Sequence, residues 1–199
     1  MKTSVLTIFS ALVLVAGIAN NSNAADVKNS DSNYTVLTDI SAINKIEVRG
    51  NVEVYVSDAS ADQVKVYNQY YNQGALVQSQ NSVLRITSYK AEKLVVWVSA
   101  NDLRSISAYD NAVVKSFGKL SKIELNVDLH DNASAKLDVD AFSADVTVKD
   151  RAKVELSGTA EQYNLNRNAL ATVNNSNLKA NNFHQNEETL AASEDLAGI

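Results

Sequence analysis

From Ile40 onward the chain alternates apolar and polar residues. Ile46, Val48, Val52, Val54 and Val56 point one way, and Arg49-Gly50-Asn51 interrupts them. A period of two in β-branched residues predicts strands with one buried face. The pattern returns around four short motifs, Asp110-Asn111-Ala112, Asp131-Asn132-Ala133, Asp150-Arg151-Ala152 and Arg167-Asn168-Ala169, spaced by 21, 19 and 17 residues. Aligned on Gly50, Asp110, Asp131, Asp150 and Arg167, the flanking positions form five apolar columns. Two residues before the motif stand Val48, Ala108, Leu129, Val148 and Leu165; four after it stand Val54, Val114, Ala135, Val154 and Ala171. Inward and outward sides keep their register across every motif. Such a period predicts an all-β, single-domain parallel β-helix or β-solenoid with coils of about 20 residues, right-handed by default. Like positions would then stack about 4.8 Å apart.

Asp58 to Ala100 follows this register less clearly. Gly50 and Asp110 lie 60 residues apart, room for three periods, so the stretch is expected to hold intervening coils. Leu94-Val95-Val96-Trp97-Val98 is apolar on both faces, as in a strand covered on both sides or part of an interface.

Pro is absent and there are only 6 Gly. Absent Pro suits a backbone whose N–H groups are used in ladders. Scarce Gly means that Asp and Asn must supply tight turns, since they tolerate positive φ best after Gly. Asp110, Asn111, Asp131, Asn132, Asp150, Arg151, Arg167 and Asn168 are therefore expected to form a structural ladder of turns.

The ends read differently. Lys2, the apolar run Val5 to Ile18 and Ser22-Asn23-Ala24 fit a signal peptide over residues 1–24. Residues 25–39 read as a flexible leader, 40–182 as the repeat domain, and 183–199 as an acidic tail, disordered or a short helix. Removal of residues 1–24, whose only charge is Lys2, takes the net charge from −5 to −6. A mildly acidic chain disfavours nucleic acid as a partner. The predicted location is outside the cytoplasm: periplasm, outer surface or medium. No Cys occurs, so neither disulfides nor a lipid anchor on an N-terminal cysteine is expected. No further membrane span is expected after the signal.

Ile43-Asn44-Lys45-Ile46-Glu47-Val48-Arg49-Gly50-Asn51-Val52-Glu53-Val54-Tyr55-Val56 resembles the opening of the head-GIN domain family, and the later strand–turn–strand series resembles it too. These are exported bacterial proteins associated with auto-transporter adhesin heads, a domain of unknown function. The resemblance covers roughly Ile40 to Asn182 and implies a β-helical fold. It carries over no catalytic residue. Ser/Gly-rich turns are common in the family, whereas Asp-Asn-Ala and Arg-Asn-Ala stand here.

Candidate chemistry is sparse. His130 and His184 are far apart and suggest no metal site. The acidic column Asp110, Asp131 and Asp150 would repel itself unless Lys149, Arg151 and Arg167, or a cation such as Ca²⁺, neutralised it; turn stabilisation is the expected role, and no metal or cofactor is expected. Tyr67, Tyr70 and Tyr71 lie among Asn68, Gln69, Asn72 and Gln73, a composition suited to a ligand surface where rings stack and amides bond. The reading is a secreted, non-enzymatic protein of surface interaction or adhesion with a glycan or cell-envelope partner. A carbohydrate-active enzyme, with Asp128, Lys149, Arg151, Asp138 and Asp140 near one face, is one alternative. A structural envelope protein assembling by coil stacking is another.

Overall fold

The computed structural model describes residues 34–37, 40, 42–67 and 75–188. The expected signal peptide lies outside them. Twelve strands form one sheet: β1 (Thr35–Leu37), β2 (Lys45–Gly50), β3 (Val52–Asp58), β4 (Gln63–Tyr67), β5 (Ala75–Gln80), β6 (Val83–Ser88), β7 (Leu94–Ala100), β8 (Ser105–Ala108), β9 (Val113–Leu129), β10 (Ser134–Val148), β11 (Lys153–Asn168) and β12 (Thr172–Glu188). No helix occurs among the described residues. β1 falls within the stretch read as a leader. β12 runs six residues past the boundary placed at 182.

The four long strands lie parallel, β9 beside β10, β10 beside β11 and β11 beside β12, with register shifts at Lys136/Asp138 against β9 and at Glu155/Ser157 against β12. Val114 pairs with Ala135, Ala135 with Val154 and Val154 with Val173. In β10 the buried residues are Ala135, Leu137, Val139 and Ala141 before a bend and Ala144, Val146 and Val148 after it, so burial changes parity at Phe142-Ser143. The apolar columns form the core: Ile46, Ile106, Val48, Leu129, Val54 and Val114 are all wholly buried.

The order is mixed, not the clean parallel stack that the repeat predicts. β2 pairs directly with β8, and β3 with β9. Gly50 and Asp110 therefore occupy adjacent rows, and no coil lies between them. The stretch between them builds outward instead. β6 and β7 pair with the far sides of β2 and β3, and the antiparallel strands β5, β4 and β1 close that end. Equal spacing cannot distinguish three stacked coils from one excursion that returns.

The last row also departs from the motif alignment. Val148 pairs with Arg167, and Val146 with Leu165, a spacing of 19 where the motif gives 17. The equivalent of Asp150-Arg151-Ala152 is thus Ala169-Leu170-Ala171. Ala171 is buried, whereas Ala169 is exposed. Arg167 stands in the Val148 column and turns its guanidinium to Glu187 at 3.2 Å.

Candidate functional site

Two features among the described residues concentrate polar and aromatic chemistry: the corners that lead into the long strands β9 to β12, and one stretch of outer face.

Each corner is a four-residue turn. Ala112 N–H donates to Tyr109 C=O, Ala133 N–H to His130 C=O and Ala152 N–H to Lys149 C=O, at 3.0 to 3.1 Å. The first central residue has positive φ: Asp110 at 59°, Asp131 at 57° and Asp150 at 55°. That conformation penalises a Cβ in most residues, and Asp is among the few that accept it. The carboxylates then link rows. Gly50 N–H donates to Asp110 Oδ2, Asp110 N–H to Asp131 Oδ2 and Asp131 N–H to Asp150 Oδ2, each at 3.0 Å. Asn132 N–H donates to Asp110 C=O at 2.9 Å and Arg151 N–H to Asp131 C=O at 2.8 Å. The stacked acids thus meet backbone donors, which offsets their mutual repulsion. The final corner lacks an acid and does not use positive φ. There Asn168 Oδ1 accepts from Ala171 N–H at 3.0 Å, so Ala169 fits.

Replacing Asp131 by Ala should cost about 2 kcal/mol, combining an unfavourable φ with the loss of the bond from Asp110 N–H. Asp131→Asn keeps both the φ tolerance and an acceptor oxygen and should cost under about 1 kcal/mol. Urea unfolding of the two variants checks this; equal losses would remove the carboxylate from the corner's energetics.

His130 is half-buried. Its ring stacks on Tyr109 at 5.1 Å, and the Arg49 guanidinium lies 3.8 Å from the Tyr109 centroid on the same column. His130 Nε2 is 2.9 Å from Asp128 Oδ1. This contact occupies Asp128, and Lys149 Nζ lies 3.9 Å from Glu188. The structure therefore does not draw Asp128 and Lys149 into a pair. Among the described residues, no group of three or more His, Asp or Glu is placed to hold a metal ion.

The second feature is a row of rings on the outer face of neighbouring strands. Tyr34 precedes β1, Tyr67 ends β4, Trp97 lies in β7, Tyr55 in β3 and Phe117 in β9. Their centroids are 5.0 Å apart for Tyr34–Tyr67, 6.3 Å for Tyr67–Trp97, 4.8 Å for the stacked pair Tyr55–Trp97 and 5.0 Å for Trp97–Phe117. Phe117 is 61% exposed. The row explains the two-sided apolar strand: Val96 and Val98 enter the core while Trp97 joins the rings outside. Tyr67 is the one sequence-predicted ligand residue in the row; Tyr70 and Tyr71 lie outside the described residues.

Polar groups border the rings. Glu53 accepts from Lys115 Nζ at 2.7 Å and from Tyr55 Oη at 2.9 Å, and Lys93 Nζ is 3.5 Å from its other oxygen. The Lys115 hydrogen bond holds the Glu53 carboxyl below its ordinary range, against the opposing effect of burial. The same contact raises Lys115. Donation to Glu53 raises the Tyr55 phenol. Lys65 Nζ lies 5.5 Å from the Tyr34 centroid. The sequence signal for Tyr55 and Trp97 was available, aromatic residues at outward positions of alternating strands. Their meeting depends on the β3–β7 pairing, which local pattern does not give.

A family model described as "Putative auto-transporter adhesin, head GIN domain" matches residues 42–191. No curated protein matches the chain. Among solved structures, a "putative adhesin" from Bacteroides fragilis NCTC 9343 superposes with TM-score 0.70 at 16% identity, covering 81% of this chain and 78% of that one. A "putative adhesin" from Parabacteroides merdae ATCC 43184 gives 0.62 at 14%, covering 77% and 76%. A "putative lipid binding protein" from Parabacteroides distasonis ATCC 8503 gives 0.55 at 10%, covering 79% of each. At these identities the likeness concerns the fold.

Proposed function

The chain belongs to the head GIN domain family of adhesin-like proteins, and from that membership we propose an exported, non-enzymatic protein of surface interaction that binds glycan through its aromatic row. The observation that carries the reading is the run of five rings across adjacent strands, with centroids 4.8 to 6.3 Å apart. Flat rings offer apolar faces to the C–H surface of a sugar while their rims stay polar. Lys65, Lys93, Lys115 and Glu53 border them with donors and acceptors for hydroxyl groups. Rigid rings on sheet strands lose little entropy on contact, unlike side chains on a loop. The turn ladder belongs to the scaffold in this reading. Long strands β9 to β12 are coils of a β-solenoid that β1, β4 and β5 extend with antiparallel edges.

A glycan array with the full chain tests the proposal. Trp97→Ala should weaken the strongest hits at least tenfold, because Trp97 touches three of the other rings. Phe117→Ala, an exposed ring, should weaken them with little change in melting temperature. Hits that survive both substitutions, or an array with none, would sink the glycan reading.

A further inference from the structure

We infer that the outer edge of β12 is a self-association surface, on which a second copy of this chain pairs antiparallel about a two-fold axis through the β12 bend. The two ends of the sheet differ. At one end, antiparallel strands β4, β1 and β5 finish the stack. At the other, β12 pairs only with β11 among the described strands. This leaves the outward N–H and C=O groups of a 17-residue strand without a ladder partner among the described residues.

Edges are normally blunted by Pro, by charge or by being short. The chain has no Pro, and Lys179 is the one charge on β12 before Glu187. Among the described residues, nothing covers the core columns there. Ala160 and Tyr163 are 5% and 2% exposed in β11; their partners in β12 are Ala180, half-buried, and Phe183, 52% exposed. Phe183 stacks on Tyr163 at 5.0 Å and offers its other face outward.

The bend makes this edge complementary to itself. Inward positions are Leu178 and Ala180 before it and Phe183 after it, so their parity changes at Asn181-Asn182. A two-fold axis through that bend sets the arm before it against the other copy's arm after it. Ala180 then faces Phe183 of the second copy, a small residue against a large one, and the contact occurs twice. Leu178 faces Gln185 of the second copy, and the outward Lys179 faces His184. Inward residues meet inward residues only because of the parity change; a straight strand in this register would set inside against outside. No acid opposes an acid. Isologous pairing of this kind closes at two copies and leaves no β12 edge for a third.

The absence of Cys makes the test clean. Sedimentation velocity of the full chain should show a dimer that grows with concentration. The double variant Lys179→Cys with His184→Cys should give a covalent dimer under mild oxidation, while Asn177→Cys with His184→Cys, out of register, should give far less. Phe183→Asp should weaken association at least tenfold. Three results would overturn the inference: a monomer at every concentration, a dimer that the first cysteine pair fails to capture, or dimers only after truncation at Glu188, which would make the following residues the cover of the edge. None of these outcomes depends on glycan binding.

Discussion

Replacing Gly158 by Ala should destabilise the protein by about 3 to 5 kcal/mol, the sum of a strained backbone and a backbone collision. Gly158 has φ +105°, a region that L side chains rarely adopt. A Cβ there would lie 1.9 Å from Val139 O, 2.8 Å from Asp138 Oδ1 and 3.0 Å from Val139 C. The carboxylate can swing away, but the carbonyl cannot, because Val139 and Gly158 are register partners in the β10–β11 ladder. Relief requires opening that ladder at the middle of the stack. Gly118 supplies the control. It also has positive φ, +81°, but a Cβ there would meet nothing within 4 Å. Gly118→Ala should therefore cost only the conformational term, about 1 to 2 kcal/mol. Chemical denaturation of both variants separates strain from collision; equal losses would show that the Val139 carbonyl gives way.

The core was legible from alternation because a strand's two faces are written into successive residues. Ile46, Val48, Val52, Val54 and Val56 are wholly buried, in the positions that the columns assign. The rows at Asp110, Asp131 and Asp150 align as the motif predicts, since one residue type meets one backbone demand: an acid at positive φ beneath a free N–H. The last row misleads because Arg167-Asn168-Ala169 imitates the motif without that demand; its turn is held by the Asn168 side chain instead. The position of the Gly50 row was not legible, as spacing says nothing about which side of a strand the next one joins. The ring row is partly legible for a similar reason. Tyr67 stands out among amides in the sequence, but Tyr55 and Trp97 meet through a pairing 42 residues apart.

Asp58→Ala should cost about 3 kcal/mol, mainly by leaving a sequestered ammonium without its counter-charge. Lys122 Nζ lies 2.6 Å from Asp58 Oδ1, and the Lys122 side chain is only 7% exposed. Asp58 Oδ2 accepts from Ser121 N–H at 2.7 Å. One carboxylate thus serves a cation and a backbone donor together, tying the end of β3 to the bend of β9. The two partners are unequal, since the Asp58 side chain is 31% exposed and keeps access to water. Lys122→Met should therefore cost far less, about 1 kcal/mol, because Asp58 retains both Ser121 and solvent. The double variant Asp58→Ala with Lys122→Met removes the stranded charge and should recover about 2 kcal/mol relative to Asp58→Ala alone. Asp58→Asn keeps an acceptor for Ser121 but loses the charge, so it should fall between the two single variants. Urea unfolding of the four proteins gives the coupling directly. Additive losses would mean that water reaches Lys122 despite its burial, and the bend would then be held by the core columns alone.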